Sequence, residues 1–316
     1  MGEDTLAAQI AFTGSAMPLY KYFDIPGIDY LTVDLNWKHG QKMGIRGDNY
    51  RFFNTPLQCV SASHQAGKRE KLCEMYGVSS QNLTFKKQKY IFDHFASFGI
   101  NHKCIHGIFY SLKGRRKRTY PPHISYYQPY WENYHVLNDY QARVSWFISQ
   151  GKPGADILYI HPIEAAFMEY KSIGEDGMPG NNYYGDMDKD FNFMLRILVG
   201  IQANFELGDE DTIEEYGSVE EYGNTDEYRN AWEYGNEENY GSVDKSCRFV
   251  VGHMRYRVVI VPNLPVLRQK TVELLEKFSR AGGRLIIMGK LPGMVDGKPD
   301  NNLAEKLLSL KGTICS

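Results

Sequence analysis

A rhythm met twice constrains this chain more than any other feature: short apolar runs alternate with longer stretches of helical periodicity, and Gly151-Lys152-Pro153-Gly154 punctuates the chain between the two passages. A strand and a helix that recur in this way have one economical arrangement, a parallel sheet with helices packed against it. In the first passage the pattern predicts strands over 28–33 (IDYLTV), 57–62 (LQCVSA), 71–76 (KLCEMY) and 102–109 (HKCIHGIF), with helices over 86–98 and 131–149. In the second it predicts strands over 155–162, 205–210, 255–262 and 284–289 and helices over 190–203 and 269–281, the order of a doubly wound α/β domain. A chain of 316 residues accommodates two such domains, expected at 1–151 and 152–316.

One segment breaks the rhythm. Residues 209–245 are rich in Glu, Tyr, Gly and Asn and repeat internally, with Tyr-Gly-Ser-Val at Tyr216 and again at Tyr240, so they are expected to form a mobile acidic surface loop. Charge elsewhere is balanced: the formal net charge of -2 gives no global attraction for nucleic acid or an anionic membrane. The basic run Arg115-Arg116-Lys117-Arg118 reads, in such a chain, as a loop patch. Five scattered cysteines without a CxxC pair argue against a disulfide framework or a zinc ribbon, and neither a leader nor a membrane-length apolar run is evident. Localisation stays open, with the cytoplasm as default. The aromatic content, 23 Tyr, 16 Phe and 4 Trp, exceeds what cores need and suits a cleft lined by rings.

Chemistry on a barrel-like parallel sheet belongs at the C-terminal ends of strands. Glu74, a carboxylate on the otherwise apolar run 71–76, stands in that position, and Asp29, His64 and His106 are its counterparts on the other predicted strands. Paired carboxylates at such ends, with surplus aromatics, suit glycoside hydrolysis, in which one acid protonates the leaving oxygen and another acts as nucleophile or base. For Glu74 the competing reading is a structural ion pair, and for Asp29 a capped turn. His102, Cys104 and His106 alternate on one strand face, but one strand supplying three ligands would crowd them, so no metal is expected there. No GxGxxG follows the run ADILYIHP, which argues against a nucleotide.

The segments AFTGSAMPLYKYFDIPGIDYL, QCVSASHQAGK, EKLCEMYG, HGIFYSLKGRRKRTYPP, QPYWENY and ARVSWFISQGKPGADILYIHPIE together resemble bacterial glycosyl hydrolases of the α-L-rhamnosidase-like group, related to glycoside hydrolase family 106. The resemblance spans nearly the whole chain, apart from the Tyr-rich repeat. It implies a partial (β/α)8 TIM barrel, about strands five to eight, followed by a flavodoxin-like domain of the glutamine-amidotransferase-like kind found in trimerising β-galactosidases. By the same comparison the chain is a fragment that lacks the first barrel strands, Glu3 falls just beyond strand four, and Glu3 and Glu74 take the two catalytic roles. Asp29, His64, Tyr76, His106, Tyr110 and Trp131 are the expected substrate contacts. An oligo- or polysaccharide is the implied partner, with homo-oligomerisation through the second domain; no cofactor is expected, although the resemblance raises calcium without identifying ligands. The second domain lacks a nucleophile elbow, so packing or assembly is its expected role. A non-catalytic carbohydrate-binding or scaffold protein is the alternative.

Overall fold

The computed structural model describes residues 6, 9–29, 53–77, 79, 81–168, 186–221, 247–310 and 312–315. It is a mixed α/β chain built on parallel sheets, and it divides into two compact units, residues 1–153 with 172–199, and residues 154–171 with 200–316.

The first unit contains strands β1 (Gly27–Asp29), β2 (Leu72–Met75) and β3 (His102–Ile105), and helices α1 (Asn54–Gln65), α2 (Phe85–Ser97) and α3 (Tyr134–Gln150). The strands form a parallel sheet in the order β1-β2-β3, in register so that Asp29, Glu74 and Cys104 lie side by side. Alternation along each strand then sorts the side chains into two faces. One carries Ile28, Cys73 and Met75, all fully buried. Lys103 shares it, and its ammonium donates to Asn138 Oδ1 of α3 at 3.0 Å, so this is the face that helices cover. The other face carries Leu72, Glu74, His102 and Cys104, none of them fully buried.

Helix α2 illustrates why these residues fold as they do. Thr84 caps it by accepting from the Lys87 amide at 3.3 Å, and Gln88, Ile91, Phe92 and Phe95 recur on one buried face. Burying Ile91, Phe92 and Phe95 contributes about 1.5–3 kcal/mol for each side chain.

The predicted strand at 57–62 is a helix. Leu57, Gln58, Cys59, Val60, Ser61 and Ala62 all lie in α1, with Pro56 in its first turn, where the missing amide hydrogen costs nothing. Nearly every residue from Asn54 to Gln65 is buried, so the helix has no polar face and its sequence shows no 3.6-residue period. Three strands therefore stand, among the described residues, where four were expected. One other is shorter than predicted: β3 ends at Ile105, although the His106 amide still donates to the Met75 carbonyl at 3.0 Å; residues 30–33 of the first predicted strand lie outside the described residues.

The second unit follows the predicted order more closely. Its strands are β4 (Ile157–Ile160), β5 (Phe205–Gly208), β6 (Gly217–Glu221), β7 (Cys247–Val251), β8 (Met254–Tyr256), β9 (Val258–Val261), β10 (Val266–Leu267), β11 (Arg284–Met288), β12 (Met294–Val295), β13 (Lys298–Pro299) and β14 (Gly312–Cys315). Helices α4 (Ile163–Met168), α5 (Asp186–Gly200), α6 (Glu210–Tyr216), α7 (Gln269–Arg280) and α8 (Leu303–Leu308) connect them, although most of α5 groups with the first unit. Strands β14-β11-β9-β4-β5 make a five-stranded, all-parallel sheet. Leu158, Ile160, Leu207, Val259, Val261, Leu285 and Ile287 are buried in it, as expected of the apolar runs of a parallel sheet. Gly208 permits the close pairing of β5, since a Cβ there would meet Leu158 Cδ1 at 2.7 Å.

The expectation of a loop from 209 is corrected for its first part. Asp209 Oδ1 accepts from the Asp211 and Thr212 amides and caps α6, and β6 then pairs antiparallel with β7. The remainder of the repeat, 222–245, lies outside the described residues.

Candidate active site

Glu74 stands on the face of the first sheet that the described helices leave open, 18% exposed, with β1 on one side and β3 on the other. In-register neighbours on parallel strands are about 4.8 Å apart, so the backbone presents Asp29, Glu74 and Cys104 as one row. His106, two residues beyond Cys104, brings its Nε2 to 3.8 Å from Glu74 Oε1. That separation is within electrostatic reach but too long for a hydrogen bond. Burial and then the adjacent Glu74 charge raise the Cys104 thiol pKa, so Cys104 is no ready nucleophile.

Two buried polar atoms border this row without a hydrogen-bond partner among the described residues: Asp29 Oδ1 and His106 Nδ1. Buried polar atoms are nearly always satisfied in folded proteins, by protein, water or ligand. Here an open acceptor, a carboxylate and an imidazole converge on one strip of sheet.

The aromatic residues expected at the site divide into two groups. Tyr110 is fully exposed, and its carbonyl accepts from the Tyr127 hydroxyl at 3.2 Å. Trp131 is 43% exposed and stacks on Tyr134 at 5.9 Å, just ahead of α3. A helix that follows a strand starts near the strand's C-terminal end, so Trp131 lies toward the end of the sheet where Glu74 stands. Tyr76 does the opposite. It is wholly buried, its hydroxyl donating to the Gln88 carbonyl at 3.1 Å and accepting from Gln141 Nε2 at 3.0 Å, so it belongs to the helix layer and not to a sugar contact. Its φ of 71° puts a non-glycine residue in the left-handed region, at a cost of about 1–3 kcal/mol that this packing offsets.

His64 is likewise displaced. It sits in the last turn of α1, with its Nε2 3.2 Å from Lys71 Nζ, just ahead of β2. Because α1 runs back against the strands, this contact lies at their N-terminal ends, away from Glu74. Glu3 lies outside the described residues. Sequence reasoning missed Gln81, whose Nε2 donates to the Thr119 and Pro121 carbonyls and whose Oε1 accepts from the His123 amide, pinning the segment that follows β3. A lone glutamine carries no pattern that could have disclosed it.

The second unit offers contrasting strand ends. His161 after β4 is fully buried and burial lowers its pKa to about 3, so it stays neutral and has no acid–base capacity near neutral pH. Its cysteine in β7, Cys247, is buried with its thiol directed at the Phe278 carbonyl. A surface depression of about 430 Å³ beside α7 is lined by Glu221, Glu273, Glu276, Lys277 and Arg280, and Arg280 and Lys306 already pair with Glu276. Among the described residues no group of His, Cys, Asp and Glu could hold a metal ion, and no helix is long and apolar enough to cross a membrane.

No protein-family model matches the sequence, and neither does any curated protein. Solved structures with a similar course of chain are glycoside hydrolases. They include a β-galactosidase from Rahnella sp. R3, at 13% identity and a TM-score of 0.47 over 87% of this chain and 34% of that one. An exo-carrageenase of glycoside hydrolase family 42 from Bacteroides ovatus matches at 10% identity and a TM-score of 0.47, over 82% of this chain and 30% of that one. A family 42 β-galactosidase from G. stearothermophilus matches at 9% identity and a TM-score of 0.41, over 86% of this chain and 34% of that one. The chain thus spans about a third of the length of these enzymes.

Proposed function

We propose that the chain is part of a glycoside hydrolase, with Glu74 as one of its two catalytic carboxylates. The observation that carries this reading is the open strip of sheet on which Glu74 lies beside Asp29 and within 3.8 Å of His106, bordered by buried polar atoms that no described residue satisfies. A helix-covered strand would have no use for such a row. In this reading the three parallel strands are a piece of a (β/α)8 barrel and the polar row faces its interior. The second unit is flavodoxin-like, an assignment supported by its strand order: numbered along the chain, the five parallel strands read 2-1-3-4-5.

Glu74 acts as nucleophile or base, and Glu3, by the family resemblance, supplies the second carboxyl. Asp29 accepts a sugar hydroxyl with its open oxygen, His106 orients Glu74, and Tyr110 and Trp131 offer ring faces to the substrate. The substrate is an oligo- or polysaccharide, of the α-L-rhamnoside or β-galactoside class.

The test is Glu74→Gln in the full-length protein, assayed on aryl rhamnosides and galactosides. A loss of about 10²–10⁴-fold in turnover with unchanged folding is expected from removal of an acid–base or nucleophilic carboxylate. Undiminished hydrolysis would reject the assignment, and sugar binding without any turnover in the parent protein would favour a carbohydrate-binding role.

A further inference from the structure

The segment that leaves β3 and leads to α3, residues 106–131, is chemically unlike the rest of the chain. It carries five cations, Lys113, Arg115, Arg116, Lys117 and Arg118, in a protein whose net charge is -2, and the first carboxylate after β3 is Glu132, just ahead of α3. All five are exposed, and none forms an ion pair among the described residues. Like charges this dense repel one another, and an anion spread along several of them relieves that repulsion. Arginine in particular matches sulfate and carboxylate groups with two parallel N–H donors.

The same segment holds the aromatic wall. Tyr126 and Tyr127 lie ring to ring at 4.2 Å, and the Tyr127 hydroxyl reaches the Tyr110 carbonyl. Tyr110 and Tyr126 are 100% and 70% exposed, more ring surface than a solvated loop needs. The two features are fixed to each other: the Arg116 carbonyl lies 3.3 Å from His123 Nε2, and the His123 ring packs on Phe109 at 5.4 Å and on Tyr127 at 6.1 Å. Gln81 holds the return of this loop through the Thr119 and Pro121 carbonyls. Tyr110 follows His106 by four residues, so extended chain separates them by at most about 14 Å. The backbone of the cationic run is thus held to the ring cluster, and the cluster follows the carboxylate row within that short span of chain.

We propose that this surface binds an anionic glycan, one bearing sulfate or carboxylate groups, and that the substrate delivered to the Glu74 face is such a charged polysaccharide. The proposal rests on the reading of that face as a glycosidase site. Rings stack on sugars while guanidinium and ammonium groups take the acidic substituents along the strand. Single-stranded nucleic acid also pairs rings with cations; the reading of the neighbouring Glu74 face as a glycosidase site favours a glycan.

The experiment measures binding of the full chain, by calorimetry, to a sulfated galactan, polygalacturonate, an uncharged galactan and single-stranded RNA. An acidic glycan is expected to bind at least roughly tenfold more tightly than the uncharged one, and to weaken roughly tenfold or more between about 50 and 200 mM salt. The sulfated and carboxylated polymers distinguish the two substituents. The triple reversal Arg115→Glu, Lys117→Glu and Arg118→Glu should remove at least roughly nine-tenths of the binding. The reversal Arg284→Glu, Lys290→Glu and Lys298→Glu, equal in charge but placed on the second unit, should change it less than about twofold. Tyr126→Ala with Tyr127→Ala should weaken binding at every salt concentration. Equal affinity for the uncharged galactan, tighter binding of RNA, or equal effects of the two triple variants would overturn the proposal. Hydrolysis separates this from the reading beneath it: Glu74-dependent turnover of neutral glycosides with no preference for acidic ones rejects the anionic substrate alone. Salt-dependent glycan binding with no Glu74-dependent turnover rejects the catalytic site alone.

Discussion

The two parallel sheets of this protein treat the ends of their strands in opposite ways. In the second unit the strands are mostly apolar, and polar groups on or just after β4 and β5 are sealed in: His161 is wholly buried and neutral, and Glu206 on β5 accepts from the Tyr256 hydroxyl at 2.5 Å. In the first unit, among the described residues, one face is apolar and covered, and the other carries Glu74, His102 and Cys104 in partial contact with solvent. The same local event, a polar residue on or after an apolar strand, thus becomes structural when helices cover it and chemically available when they do not.

The contrast can be broken experimentally. Its largest expected consequence is that Glu74→Gln reduces glycoside turnover about 10²–10⁴-fold with little change in thermal stability, whereas no strand-end change in the second unit acts on turnover this way. Steady-state rates alongside melting curves check both halves. Tyr256→Phe should do the reverse, lowering stability by about 1.5–3 kcal/mol in denaturant titration, because the buried Glu206 carboxylate loses a hydroxyl donor.

Glu210 sharpens the comparison through pH. It opens α6, accepts from the Arg268 amide at 2.7 Å, and is buried enough that its pKa rises from 4.5 to about 7. Facing or flanking it are Thr271 and Arg268 of the α7 segment and Glu164 of α4, with Asp211 and Glu214 on its own helix pairing with Arg268. The folded state holds this proton more tightly than the unfolded chain does, so stability falls as pH rises from 4.5 toward 7 and the loss is complete above that range. Glu210→Gln keeps the acceptor for Arg268 and removes the titration. It should raise stability at pH 8 by about 1–3 kcal/mol and flatten the curve of melting temperature against pH, with no such gain at pH 4. The smallest effect is expected where both partners face water: Arg255 grips Glu220 through two hydrogen bonds of 2.9 and 3.0 Å, and Arg255→Ala should cost no more than about 1 kcal/mol, less at high salt.

Strands β2, β4, β5, β9 and β11 and helices α2, α3 and α7 were legible in the sequence because each buries one kind of surface against one kind of neighbour, which imprints a period or a bounded apolar run. Helix α1 was not, because burial on all sides erases the polar face that would have revealed it, and Val60 among small residues looks like strand. Glu74 was visible as a charge interrupting an apolar run. Tyr76, two residues later, looked equally well placed, and only its left-handed backbone, φ 71°, turns it into the helix layer. His64 was misplaced with the helix that carries it. The acidic repeat concealed an ordered start because Asp209 caps a helix whose own sequence, Glu-Asp-Thr-Ile-Glu-Glu-Tyr, reads as solvated loop.

By itself the sequence determined which segments alternate and that residue 74 places a carboxylate on a strand, because these depend on local periodicity. Only the tertiary structure decided that Asp29, Glu74 and Cys104 share a register, that the His106 ring comes within 3.8 Å of Glu74, and that the backbone of the cationic run meets His123, which packs on Tyr127. Register and face are set by pairing between strands distant in sequence and by which side the helices cover. Neither quantity is written in any one segment.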